Sequence, residues 1–145
     1  MKALNEMKLT IESRSVNESF ARVSVSAFVA SLDPTLEEIS DIKTAVSEAV
    51  TNSIVHGYKN TVGKIYIWVG IYADDSVKIR IRDRGCGIAD IPKAMTPLYS
   101  SEPEERAGLG FAVMQTFCDK LTVRSTVSKG TTVTLVKKIE SRKQC

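Results

Sequence analysis

The chain has 145 residues, 43% hydrophobic and 26% charged, which is the balance of an ordinary globular protein and excludes a disordered or fibrous chain. Lys and Arg outnumber Asp and Glu by 20 to 17, and part of the resulting +3 sits in a short basic tail at Lys137, Lys138, Arg142 and Lys143. Such a tail is ordinarily a solvated end, so neither nucleic acid nor a membrane surface is expected as a direct partner.

The length suits one domain over residues 1–145. Cys86, Cys118 and Cys145 are scattered and form no C-x-x-C pair, which fits a reducing cytoplasm. The opening residues lack a signal-peptide core, and no apolar run is long enough to cross a bilayer.

Met7, Leu9 and Ile11 alternate with Lys8, Thr10 and Glu12, the pattern of a half-buried strand. A helix capped by Ser15 or Asn17 follows, with Phe20, Val23, Ala27 and Phe28 as its apolar positions and Glu18, Arg22 and Ser26 as its polar outer face, up to the break at Leu32-Asp33-Pro34. Thr35 and Glu38 have the form of a capping box that opens a long helix. Its apolar stripe runs through Leu36, Ile39, Ile42, Val46, Val50 and Ile54 to a stop at His56-Gly57.

From Gly63 the period becomes two. Ile65, Ile67, Val69 and Ile71 face one way and Tyr66, Trp68 and Tyr72 the other; after a turn at Asp74-Asp75, Val77, Ile79 and Ile81 return as the second arm of a hairpin. Continuing that alternation turns Asp83 inward, where a carboxylate is costly without a partner or ligand. Residues 84–110 read as a long loop with a short helical stretch around Ala89 to Met95. A helix over about Phe111–Cys118 and a hairpin, Leu121–Val127 and Thr131–Lys138, complete the chain. The order predicts an α+β fold: a two-layer α/β sandwich with a mixed, largely antiparallel sheet and helices on one face.

Three clusters bear chemistry. Glu48 and Asn52 share one helix stripe, where an amide oxygen can ligand Mg²⁺ and a carboxylate can act as a base; a solvated polar stripe is the plainer reading of that pair taken alone. In Asp83-Arg84-Gly85-Cys86-Gly87, a buried carboxylate would select adenine by its amine, with Gly85 and Gly87 allowing close backbone approach; a glycine turn after a capping Asp is the alternative. Gly108-Leu109-Gly110, placed before the last helix, would present free N–H groups to a triphosphate, or would be a flexible entry turn. Arg106, just ahead of it, could reach a terminal phosphate, although a lone arginine is more often merely solvated.

Taken in this order, the clusters resemble the ATPase superfamily of gyrase, the Hsp90 chaperone, histidine kinases and the mismatch-repair ATPase, whose ATP-binding fold is of the Bergerat type. Glu48-x-x-x-Asn52 resembles its asparagine box, Asp83-x-Gly85-x-Gly87 and Gly108-x-Gly110 its glycine boxes, and Gly130-Thr131-Thr132 its terminal strand motif. Within it, Asn17 to Val23, Leu32 to Thr35, Val46 to Asn52 and His56-Gly57-Tyr58 resemble the anti-sigma-F family of sporulating bacteria.

That resemblance implies a homodimer that inhibits the sporulation sigma factor F in the presence of ATP. It also implies a serine kinase that phosphorylates an anti-anti-sigma protein and leaves ADP. By carry-over, Asn52 ligands Mg²⁺, Glu48 is the base, Arg106 meets the terminal phosphate and Asp83 reads adenine. Gly85, Gly87, Gly108 and Gly110 shape the pocket, Thr131 supports the base side, and Arg22 is a guess for partner contact. His56, inside the nucleotide-binding helix, is not expected to be a phosphoacceptor. Rival expectations are the related stress-response switch kinase, a non-catalytic protein stabilised by ATP, and the core of a topoisomerase-like machine, for which the coupling domains are missing.

Overall fold

Alternating apolar residues and two long amphipathic segments sort the chain into a sheet and a helical layer. The computed structural model describes residues 1–95 and 105–140, including side chains except at 105–109. The elements are β1 (Asn5–Glu12), α1 (Val16–Val29), α2 (Leu36–Asn52), β2 (Lys64–Ile71), β3 (Ser76–Asp83), α3 (Ile91–Ala94), α4 (Glu105–Phe117), β4 (Lys120–Thr126) and β5 (Gly130–Lys138). The sheet runs β1-β2-β3-β5-β4, and every pairing is antiparallel, so the largely antiparallel expectation holds without the mixed character.

The core lies between the layers. Ile65, Ile67 and Val69 from β2 and Val77, Ile79 and Ile81 from β3 meet Ile42, Val46 and Val50 from α2, all buried. Each such side chain contributes roughly 1.5–3 kcal/mol by leaving water. The expected capping box is present: the Thr35 hydroxyl accepts from the Glu38 N–H at 3.1 Å, and the Glu38 carboxylate accepts from the Thr35 N–H at 2.9 Å. Leu36, expected to start the buried stripe, instead points into solvent at 90% exposure, and the buried residues of α2 begin at Ile42.

The α1 stripe also differs from expectation. Its buried residues are Ala21, Val25, Ser26 and Val29, whereas Phe20 and Val23 are 56% and 52% exposed and Ala27 is exposed too. Small side chains allow α1 to approach α2 closely, so the larger apolar residues are rotated outward and only Phe28 stays half-buried against the core. Ser26 is tolerated inside because its hydroxyl donates to the Val23 carbonyl at 3.0 Å.

At the β2–β3 turn, Asp74 accepts from the Ser76 hydroxyl at 2.6 Å and the Ser76 N–H at 3.1 Å, which holds its carboxyl below the usual range. Lys137, on the inner face of β5, reaches Asp41 of α2 at 3.4 Å and the Phe117 carbonyl at 3.2 Å. That contact ties the last strand to the helical layer.

Candidate functional site

The site begins where α2 changes winding. Past Asn52 the helix widens into a π-helical turn, Ser53–Gly57, of the kind that recurs at functional sites. Adjacent residues thereby serve two places: Glu48 and Asn52, one turn apart, lie against α4, while Ser53 reaches the end of β3.

On the α4 side, a Cβ placed on Gly110 would sit 3.0 Å from the Glu48 Oε2 and 3.2 Å from both amide atoms of Asn52. Gly110 thus brings the helix down onto this pair. The Asn52 Nδ2 is buried with no hydrogen-bond partner among the described residues, a cost that a bound group would relieve. The Asn52 amide oxygen is a hard ligand that fits Mg²⁺, which ordinarily takes few protein ligands and completes its shell with water and phosphate.

On the sheet side stands Asp83, 4% exposed. Its Oδ2 accepts from the Ser53 hydroxyl at 2.8 Å, and its Oδ1 accepts from the Gly85 N–H at 2.9 Å and the Thr131 N–H at 3.3 Å. A carboxylate has about four acceptor positions, so these three donors leave one open on Oδ2. The Thr131 hydroxyl is engaged with Ser125 at 2.8 Å, so Thr131 holds Asp83 through its backbone.

Glycines make this packing possible. A Cβ on Gly85 would lie 2.2 Å from the Gly57 carbonyl oxygen, and one on Gly130, whose φ is +127°, would lie 2.1 Å from the Asp83 carbonyl oxygen. Gly87, at φ +76°, backs onto Thr126 in the same way. Between them, the Cys86 N–H donates to the Gly57 carbonyl and the Ser128 N–H to the Cys86 carbonyl, both at 2.8 Å. Gly85 and Gly87 therefore serve protein-to-protein closeness around Asp83.

Gly108-Leu109-Gly110 is placed differently from the sequence reading. The last helix starts at Glu105 rather than Phe111, so both glycines fall inside α4, past the residues whose N–H groups a helix start leaves free. Glu105, Arg106 and Ala107 are strong helix formers, and each interior glycine costs only about 1 kcal/mol relative to alanine. The same change shortens the loop expected over 84–110; its residues 96–104 and the Arg106 side chain lie outside the described residues.

Sequence reasoning missed Ser53 and Gly57. Ser53 follows Asn52 directly and is buried, a small polar residue whose only signal is its position between Val50 and Ile54. Gly57, expected only as a helix stop, backs onto Asp83: a Cβ there would meet Oδ2 at 2.9 Å. Of the thiols, Cys86 is exposed beside this cradle, whereas burial pushes the Cys118 thiol up to about 11, which keeps it protonated and unreactive at neutral pH.

Among the described residues, no group of three or more His, Cys, Asp or Glu forms a metal cluster, and no helix is long and apolar enough to cross a membrane.

The model of the histidine kinase-like ATPase domain matches residues 11–137. An anti-sigma F factor of Clostridium botulinum (strain Eklund 17B) is 60% identical over 136 residues, covering 92% of this chain and 94% of that protein. One from Thermoanaerobacter sp. (strain X514) is 56% identical over 144 residues, covering 99% and 100%. Among solved structures, the RsbU and RsbW domains of Rv1364c from Mycobacterium tuberculosis align with a TM-score of 0.68 at 19% identity, over 93% of this chain and 32% of that longer one. The last likeness is one of fold.

Proposed function

Because the chain belongs to the histidine kinase-like ATPases and, among them, to the anti-sigma F factors, we propose that it binds ATP in the cradle between Asp83 and Glu48–Asn52 and acts there as a protein serine kinase. Its partners on this reading are sporulation sigma factor F, which it holds inactive in the cytoplasm, and an anti-anti-sigma protein, which it inactivates by phosphorylation. It works as a homodimer.

The observation that carries the proposal is the buried carboxylate of Asp83. Three neutral donors fix its orientation and leave one acceptor position on Oδ2. Adenine offers a donor, its exocyclic amine, where guanine offers an acceptor, so this position favours ATP over GTP.

Phosphoryl transfer demands positioning and charge neutralisation more than covalent help. Asn52 would hold Mg²⁺, which when bound neutralises phosphate charge. Glu48, beside it, orients the substrate serine and takes its proton. Gly110 keeps α4 close to both residues, Gly85, Gly87 and Gly108 are the proposed glycines of the pocket, Thr131 holds Asp83 on the base side, and Arg106 is the residue proposed for the terminal phosphate. Arg22, which forms an ion pair with Glu18 on α1, is the proposed partner contact on that helix.

The test is transfer of labelled phosphate from ATP to serine on a purified anti-anti-sigma protein, by wild type and by Glu48→Gln. Loss of a general base predicts a rate about 10²–10⁴ lower with ATP affinity retained. Tight ATP binding by wild type without transfer would leave a nucleotide-dependent binding protein and remove the kinase.

A further inference from the structure

The face of the sheet turned away from the helices has an unusual charge pattern. Alternation and register put Lys78, Arg80 and Arg82 of β3, Lys120 and Arg124 of β4, and Lys138 of β5 on that face. The outward positions of β2, β3, β4 and β5 carry no Asp or Glu, and acids occur only on the edge strand β1, at Glu6 and Glu12. None of the six cations takes part in an ion pair among the described residues.

The aromatic residues of this face are already covered from within the chain. The Arg80 guanidinium lies 4.9 Å from the Trp68 ring centre, Arg84 lies 5.0 Å from Tyr66, and the Lys78 ammonium lies 5.7 Å from Tyr72. Stacking holds each cationic head in place, which lowers the entropy lost when it meets an anion. Beside them a groove of about 330 Å³ has Arg80, Arg82, Arg124 and Lys129 in its lining against one acid, Asp83, with Thr132 paired between Arg82 and Arg124.

We infer that this face docks the acidic surface of a protein partner. A second copy of the chain would set cation against cation. A lipid surface would find Tyr66, Trp68 and Tyr72 already capped by cations and, beside them, only the half-buried Val136 to take up. Single-stranded nucleic acid relies on free aromatic faces for stacking, and here cations occupy them; the major groove of a duplex admits a helix or a two-stranded ribbon, not the flat of a five-stranded sheet. Carboxylates suit the site: Lys78, Arg80 and Arg82 recur about every 6.7 Å along β3, the spacing of alternate side chains on an acidic strand, and arginine forks pair with carboxylates in two-pronged fashion.

Docking here is joined to the nucleotide cradle by sequence. Arg82 and Arg84 flank Asp83, and Thr132 follows Thr131, whose N–H holds the Asp83 carboxylate. A partner that shifts β3 or β5 therefore acts on the nucleotide site, and nucleotide acts on the partner by the same factor.

The inference rests on the reading that the partners are the sigma factor and the anti-anti-sigma protein, so both serve as probes. Affinities of the full chain for purified sigma factor F, the purified anti-anti-sigma protein and a 20-nucleotide single-stranded DNA would be measured for wild type and for Arg82→Glu/Arg124→Glu, with ATP bound, at low and high salt. Melting temperature and ATP affinity check that the variant is folded. The expected result is at least a tenfold loss of affinity for one of the two proteins in the variant, a fall of wild-type affinity for that protein with salt, and ATP affinity within twofold. Unchanged affinity for both proteins overturns the inference alone, as does DNA bound more tightly than either protein and lost in the variant. Wild type that captures neither protein breaks the proposed function and this inference with it. If the double charge reversal unfolds the chain, Arg82→Gln/Arg124→Gln replaces it, with a threefold loss as the threshold.

Discussion

The two ends of the cradle are built on different principles. Around Asp83, glycines press backbone against backbone: Cβ atoms on Gly85 and Gly130 would fall 2.2 and 2.1 Å from carbonyl oxygens that cannot move without moving strands. Around Glu48 and Asn52, Gly110 approaches only the ends of side chains, at 3.0 and 3.2 Å, and those can swing aside. The Asp83 end is thus part of the fold itself, whereas the Glu48–Asn52 end can readjust without disturbing the core. On the function proposed above, the rigid end would read the base and the adjustable end would meet the phosphates.

The contrast is broken most sharply at Gly130. Alanine there meets both a left-handed φ of +127° and a 2.1 Å contact with the Asp83 carbonyl oxygen. Backbone strain alone costs about 1–3 kcal/mol, and the displacement adds to it. Gly130→Ala should therefore lose at least about 3 kcal/mol in urea denaturation; a loss below about 1 kcal/mol would mean that the Asp83 end is as adjustable as the other.

Asp83→Asn separates recognition from stability. The Oδ1 bonds from Gly85 and Thr131 persist, and the new amide can donate to the Ser53 hydroxyl, so the fold should lose only about 1 kcal/mol. The free position on the other side becomes a donor facing the adenine amine, and ATP affinity should fall about 100-fold or more by calorimetry, as expected when a site built around a hydrogen bond loses it. Equal losses of stability and affinity would make Asp83 a purely structural carboxylate.

How far the sequence carried this picture follows the same division. The capping box at Thr35, the hairpin over β2 and β3 and the inward turn of Asp83 were legible because each is a local rule of spacing. The α1 face was not, because helical spacing permits two stripes on that segment and the choice depends on the packing against α2, where Ala21, Val25, Ser26 and Val29 are buried. The start of α4 was misplaced because two glycines read as loop, although the helix formers before them outweigh their cost. Ser53 was invisible for a further reason: a π-helical turn shifts the helix register by one residue, and no periodicity in the sequence marks that shift.

Gly110→Ala tests the adjustable end. Alanine in a helix interior gains about 1 kcal/mol over glycine, which offsets the shift of a few tenths of an ångström required of Glu48 and Asn52, so urea stability should change by less than about 1 kcal/mol. Moving a base off its working position is expensive in rate, and phosphoryl transfer should drop about tenfold or more while ATP stays bound. A stable variant with full activity would show that Glu48 does not need the place that Gly110 sets.

The smallest effect is the most diagnostic of how the two ends communicate. Ser53 joins them, following Asn52 in the chain and bonding Asp83 at 2.8 Å. Ser53→Ala removes a single buried hydrogen bond and should cost about 1 kcal/mol of stability. If that bond fixes the Asp83 carboxylate for adenine, the loss of ATP affinity should shrink when Ser53→Ala is made in an Asp83→Asn background, giving a coupling of about 0.5 kcal/mol or more in a double-mutant cycle. Strict additivity would mean that Gly85 and Thr131 orient Asp83 without help, and that the π-helical turn connects the two ends only through the backbone.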